Sequence, residues 1–375
     1  MKNNILVLTP AFSGGSWVCI ERIISNLTVE SKILILGLGK IFHRNKDFRY
    51  VSVPFLRYDK WGKITVLSPV IGLLWNFPLF ISSIYFVIFY KPKVVIANGF
   101  TAGISIAPIV KLLNMKMIVM YHGYINNPNK FVENIYQKIF GLIDIVVVNS
   151  KGSFINLSHF FQTEKIVVNE HFADDIFFER PITMNIDKKL KIFYVGRLDE
   201  DKFCRSLIEL AEYLKNNNNF NFTFAGVGQF DGRIGKLALN SSNINYLGYL
   251  SDRKKLRNYL INSDVVWSYA DETYLALPAI EALASGTPII IPKFPAIEQK
   301  IKDGVEIDHS LVPKEIGWVI DPHDSKKIIK LVMFIQSVGI SKKKRNDCRN
   351  YAKVRYSKNN LIKTIKSINI LLEEK

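Results

Sequence analysis

Residues 195–203 read VGRLDEDKF. They follow an apolar run, KIFY, and lead into CRSLIELAEYL, whose apolar residues recur at helical spacing. A buried strand therefore ends at Gly196, and a helix begins a few residues later. The loop between them holds Arg197 and Lys202 among three acids, Asp199, Glu200 and Asp201. Two cations on a loop leaving a buried strand suit an anionic ligand. They equally suit local pairing with the three acids, and the sequence leaves both open.

The same texture runs outward in both directions. Upstream lie NILVLTP, KILILGLG, KVVIANG, KMIVMYHG and DIVVVNS, short apolar runs that end in small or polar residues. Strands buried on both faces look like this, and the lengths between them suit helices. Residues 173–189, ADDIFFERPITMNIDKK, are polar and broken by proline, and read as a linker. The alternation restarts with LKIFYVG, FNFTFAG, INYLG, VVWSY and TPIIIP. The pattern predicts an α/β chain of two Rossmann-like domains with parallel sheets. Their expected bounds are 1–175 and 188–350, with a basic helical tail over 351–375.

The chain has 375 residues and a formal net charge of +17. Residues 1–120 hold fourteen Lys and Arg against four Asp and Glu, a local +10. Such a balance favours an anionic partner. No nucleic-acid-binding module accompanies it, so nucleic acid is not expected. Three scattered cysteines without a CxxC indicate neither a disulfide framework nor a zinc site, and a reducing, cytoplasmic setting is the default. Residues 64–90 contain no charged residue. That length would span a bilayer. Its prolines, Asn76 and serines, and its place between two strands, favour a buried or membrane-touching crossover helix.

In open parallel sheets ligands bind beyond the carboxyl ends of the strands. Gly14 and Gly15 follow the first strand, and Gly226 and Gly228 follow the FNFTFA run. Further on, DETYLALPAIEALASGTPIII places Pro278 in the first turn of a helix that runs through Ala284 and stops near Gly286. The amino end of that helix is a natural phosphate seat. Glu281 lies about one turn in, where it can meet a bound hydroxyl pair or simply serve an ordinary helix. Arg197 and Lys202 beside such a helix end would stabilise charge growing on a departing diphosphate.

Taken together, VGRLDEDKF, FAGVGQF, INYLGYLSD and ETYLALPAIEALASGTPII resemble, in order and spacing, the carboxyl half of a GT-B nucleotide-sugar glycosyltransferase of the family-four type, glycosyl transferases group 1. ILVLTPAFSGG, YHG, DIVVVNS and NEHFADDIF agree in the first half. The resemblance implies two Rossmann-like domains facing across a cleft, with the donor held by the carboxyl-terminal domain and the acceptor by the other. It implies a retaining, metal-independent enzyme with no cofactor besides its nucleotide-diphosphate-sugar substrate. The 351–375 helix is expected to pack back toward the amino-terminal domain.

By the same resemblance Arg197 and Lys202 hold the donor phosphates, Glu281 binds the ribose, and His122 lies near the transferred sugar. Gly14 and Gly15 let the diphosphate and sugar approach, and Gly196, Gly226, Gly228, Leu250, Leu277 and Pro278 complete the donor site. The family has an acidic residue eight positions before Glu281. Here Thr273 stands there and Glu272 one place further away, so either Glu272 takes the role or the role is lost. The glycine expected next is replaced by Leu275-Ala276, and Phe203 stands where the family prefers glycine.

The expected function is sugar transfer to a glycan or a polyprenyl-diphosphate-linked acceptor in bacterial surface-polysaccharide or glycoconjugate synthesis, at or near the inner face of an anionic membrane. The rivals are a catalytically silent GT-B partner that binds glycan and a GT-B sugar-nucleotide epimerase.

Overall fold

The computed structural model describes residues 3–12, 14–27, 30–39, 41, 45–53, 68–122, 130–179, 189–271, 274–292 and 312–373. The chain divides into two compact units, Met1–Glu170 with Leu361–Lys375, and His171–Asn360.

In the first unit the strands are β1 (Asn3–Thr9), β2 (Ser31–Leu38), β3 (Arg49–Val53), β4 (Val94–Asn98), β5 (Lys116–Tyr121), β6 (Ile145–Val148) and β7 (Ile166–Val168). They form one parallel sheet in the order β3-β2-β1-β4-β5-β6-β7. Its helices are α1 (Gly14–Ile24), α2 (Ser68–Tyr90), α3 (Phe100–Leu112), α4 (Lys130–Phe140) and α5 (Lys151–Ser158), with a terminal helix Asn360–Glu373. β4 is buried at every residue. That is why a parallel strand reads as an unbroken apolar run, with no polar alternation. Strand order reverses between β1 and β4, so the loops leaving those strands flank the natural binding crevice.

The second unit repeats the design with β8 (Leu190–Val195), β9 (Phe220–Ala225), β10 (Ile244–Tyr246), β11 (Val265–Trp267), the short antiparallel pair β12 (Ala270–Asp271) and β13 (Tyr274–Leu275), β14 (Ile289–Pro292) and β15 (Gly317–Ile320). The parallel sheet runs β10-β9-β8-β11-β14-β15. Its helices are α6 (Cys204–Tyr213), α7 (Asp231–Leu239), α8 (Arg253–Asn262) and α9 (Leu277–Ala284), followed by Ser325–Val338 and Lys342–Arg355. Here order reverses between β8 and β11, which places the Gly196 loop at the switch point.

Residues 68–90 of the uncharged stretch form the 23-residue helix α2, packed against α3. Among the described residues no helix is long and apolar enough to cross a membrane. Leu79, Ser83 and Val87 of α2 are buried, so one edge of the helix belongs to the core of its unit.

Candidate functional site

In the second unit the site grows from the exit of β8. Gly196 has φ 155° and Gly226, at the exit of neighbouring β9, has φ 143°, both in the region that favours glycine. The two backbones nearly touch. A Cβ on Gly226 would lie 1.8 Å from the Gly196 carbonyl oxygen. A Cβ on Gly228 would lie 2.5 Å from Asp199 Oδ1. The two loops are thereby locked together, with Leu198 N donating to Val227 O (3.1 Å) and Phe230 N to Leu198 O (3.0 Å). Tyr194 Oη reaches over to the Arg197 carbonyl at 2.6 Å.

The two cations stand on this locked loop. Arg197 pairs with Asp199 at 2.8 Å, so local pairing is real, and its side chain remains 57 % exposed. Lys202 Nζ sits 4.0 Å from the centre of the Tyr269 ring, a cation–π contact. Phe203 stacks on the other part of that cluster, its ring 6.0 Å from Tyr269 at 23°. Phe203 has φ 53°, a left-handed backbone, which explains why glycine is the easier residue there. The conformation costs a side-chain-bearing residue about 1–2 kcal/mol. Trp267 Nε1 fixes the Phe203 carbonyl at 3.3 Å.

Tyr269 also ties the loop to α9, because its carbonyl accepts from Ala276 N at 3.2 Å. Ala276 precedes the helix, and Leu277 and Pro278 are its first residues. Leu277 is buried, and Leu250 packs against the cluster that contains Ala279 and Ile280. Glu281, one turn further, is 1 % exposed. A buried carboxylate needs a partner. Arg253, the first residue of α8, supplies it: its Nη2 lies 2.5 Å from Glu281 Oε1 and 2.9 Å from Asp174 Oδ2. The guanidinium stacks on Phe177 at 4.8 Å. Burial works against the charge of Arg253, but Glu281 and Asp174 outweigh it and raise its pKa.

In the first unit, His122 follows β5 and is half-buried. Its Nε2 lies 3.0 Å from Asn98 Oδ1. Asn98 Nδ2 lies 3.0 Å from Thr9 Oγ1, which donates to the Ala11 carbonyl at 2.7 Å. Because the threonine proton is spent on Ala11, Asn98 must donate to Thr9, and its oxygen faces His122. Nε2 therefore carries the imidazole proton and Nδ1 is the acceptor. This row spans the exits of β1, β4 and β5. Gly14 and Gly15 form the first turn of α1, and a Cβ on Gly15 would meet nothing within 4 Å.

Burial pushes the His122 imidazole down to about 4. Between that value and about 6.5 the unfolded chain binds the extra proton. Stability contributed by neutral His122 is therefore full above about pH 6.5 and lost as pH falls toward 4. Urea unfolding of His122→Asn should show a shallower loss over that window than wild type. An identical slope would mean that His122 titrates normally.

The structure thus ties the Gly196–Lys202 loop to the Gly226–Gly228 loop and, through Tyr269, to Ala276 at the start of the helix that holds Leu277, Pro278 and the buried Glu281. Glu272 and Thr273 lie outside the described residues. Two residues were not singled out by sequence: Arg253, which directly follows INYLGYLSD, and Tyr269, the last residue of VVWSY. Among the described residues no group of three or more His, Cys, Asp or Glu is placed to hold a metal ion.

Residues 175–355 match the family model of glycosyl transferases group 1. An uncharacterised 41.2 kDa protein in the cps region of Klebsiella pneumoniae is 23 % identical over 178 residues, 47 % of this chain and 44 % of that one. A GDP-mannose-dependent alpha-(1-6)-phosphatidylinositol dimannoside mannosyltransferase of Mycobacterium tuberculosis is 27 % identical over 114 residues, 30 % of each chain. The matched stretch spans less than half the length of these curated relatives. A solved glycosyltransferase from Rickettsia africae superposes over 100 % of both chains with a TM-score of 0.66 at 18 % identity. Anabaena Alr3699/HepE in complex with UDP-glucose does so with a TM-score of 0.66 at 13 % identity, over 98 % of this chain and 99 % of its own. The fold is GT-B, and the match to the group 1 family model lies within the second unit.

Proposed function

We propose that this chain is a retaining glycosyltransferase that moves a sugar from a nucleotide-diphosphate donor to a glycan or lipid-linked acceptor. The observation that supports the reading is the chain of contacts from the Arg197–Lys202 loop and its paired glycines through Tyr269 to the start of α9, which carries the buried Glu281–Arg253 pair. Glu281, held by Arg253, receives the ribose hydroxyls. The diphosphate lies over Gly196 and Gly226, where no side chain intervenes, toward the amino end of α9. Arg197 and Lys202 neutralise the charge that grows on the diphosphate as the bond from sugar C1 to the phosphate oxygen breaks. The acceptor oxygen attacks C1 on the same face, and its proton passes to the departing phosphate oxygen. Glu272 remains the proposed contact to the donor sugar. His122, a neutral acceptor at Nδ1, serves the transferred sugar from the first unit's strand ends. The two cations supply the positive charge, so the reaction is proposed to run without a metal.

The similarity to a protein in a cps region supports a place in bacterial surface-polysaccharide or glycoconjugate synthesis. The three free cysteines fit a reducing, cytoplasmic setting, and the basic first third supports peripheral association with the membrane.

A thermal-shift panel of UDP- and GDP-sugars, followed by turnover assays in excess EDTA, tests the reading. A donor at a hundred times its Kd adds about 2.7 kcal/mol of apparent stability. Release of free nucleotide diphosphate with acceptor, undiminished by EDTA, is the expected result. A panel that leaves the melt unmoved would overturn the assignment. Inversion at sugar C2 would identify an epimerase, and donor binding without turnover a silent partner.

A further inference from the structure

The outward face of α2 is unusual for a surface helix. Phe77, Ile81, Tyr85 and Phe89 follow one another at four-residue intervals, with Ile88 beside them, and each is between 45 % and 69 % exposed. The Tyr85 and Phe89 rings touch, with centroids 4.6 Å apart. The helix contains no charged residue at all. A helix that merely covers a core carries charged and polar side chains on this face. One exposed apolar residue needs no explanation, but a continuous stripe of five marks an interaction surface. On the packed neighbour α3, Lys111 and Leu112 are exposed too, Leu112 at 81 %.

The surroundings of the stripe are basic. Lys91 follows the last residue of α2 and is exposed. Tyr90 Oη bonds the carbonyl of Lys32, which brings that exposed lysine to the same helix end. Lys93 Nζ reaches the Leu372 carbonyl. Among the described residues the acids near this edge include Glu30, next to β2, the exposed Glu373, next to Leu372, and Asp144, which already accepts from Met117 N and faces Lys116 at 3.8 Å. An apolar stripe bordered by Lys32, Lys91 and Lys111 complements a surface that is apolar beneath and negative above.

We infer that this face of the first unit docks on an anionic lipid surface, with the α2 stripe entering the headgroup–acyl boundary and the lysines lying among the headgroups. The inference rests on the reading of the acceptor as lipid-linked and supplies the surface that would bring the enzyme to it. Tyr85 and Tyr90 suit that boundary, since amphipathic aromatic rings favour it. The mode is interfacial: the Leu79–Ser83–Val87 edge stays in the protein core. Salt screens the lysine contribution, while the apolar contribution is not screened in that way.

Flotation with vesicles of phosphatidylcholine alone, or mixed with phosphatidylglycerol, tests this without any sugar present. Wild type should float with the mixed vesicles at low salt and in part at high salt. Ile81→Glu combined with Phe89→Glu should weaken the salt-resistant part roughly tenfold or more, because each places a charge in the apolar boundary. Lys91→Glu with Lys111→Glu should remove the salt-sensitive part. Circular dichroism and the nucleotide-sugar thermal shift should be unchanged in both, which shows that the fold and donor site are intact. Wild type that stays unbound at every ionic strength overturns the inference, as do glutamate variants that float like wild type. A wild-type dimer in sedimentation that the glutamate variants dissociate would also overturn it, by assigning the stripe to a second copy of the chain. Vesicle binding without nucleotide-sugar binding would instead leave this inference standing and remove the transferase reading.

Discussion

Arg197→Ala and Lys202→Ala are each expected to cut turnover by roughly 10²–10³, the range for removing one group that stabilises transition-state charge. Both side chains stand on a loop held by other atoms. Asp199 keeps its bond from Gln229 N (2.9 Å), and the loop keeps its Leu198 and Phe203 backbone ties. Thermal unfolding should therefore change little, and the loss should appear in kcat more than in KM. The Lys202 variant also abandons the Tyr269 ring. Lys202→Arg should recover part of the rate, since it keeps a cation over that ring. Turnover at the wild-type level in both alanine variants would remove the phosphate role from this loop.

Gly226→Ala is expected to be the most damaging single change to the fold of the second unit. The new Cβ would lie 1.8 Å from the Gly196 carbonyl oxygen, and neither partner can yield. Gly196 N is bonded to Ala225 O (3.0 Å) and Gly226 N to Gly248 O (2.7 Å). The φ of 143° adds strain that alanine cannot relax. Destabilisation above about 4 kcal/mol is expected, an exceptional value for one methyl group. For a unit of this size that lowers the melting temperature by roughly 10 °C. Gly15→Ala is the matched control, because its Cβ would meet nothing within 4 Å. Equal melting of Gly226→Ala and wild type would show that the two loops do not approach as described.

The residues whose chemistry is local were legible in the sequence. The central strands announce themselves because parallel strands buried on both faces cannot alternate. β3, β7 and β15 escaped notice: they are three to five residues long, and β3 and β15 carry exposed positions that dilute the apolar signal. Gly196, Gly226 and the Pro278 helix were legible because each ends a strand or starts a helix at a break in the apolar pattern. Arg253 was not, since its meaning depends on Glu281, 28 residues away, and on Asp174, 79 residues away. Nothing in SDRKK distinguishes it from the lysines that follow. The Phe203 anomaly was visible in sequence, but its cause was not: a left-handed backbone held by Trp267 and a stacked Tyr269.

The terminal helix Asn360–Glu373 belongs to the unit built from Met1–Glu170, and its Leu361, Ile368 and Leu372 are buried. On a ribosome the order of completion is therefore inverted. Domains ordinarily fold as they emerge, amino-terminal first. Here the first unit to leave the tunnel must wait, with the seats of those three side chains unfilled, while all of the second is made. A chain ending at residue 360 would hold every residue of the second unit and leave the first without its last helix. Until that helix arrives, the apolar seats of Leu361, Ile368 and Leu372 stay open to solvent, the kind of surface that invites aggregation and that chaperones cover.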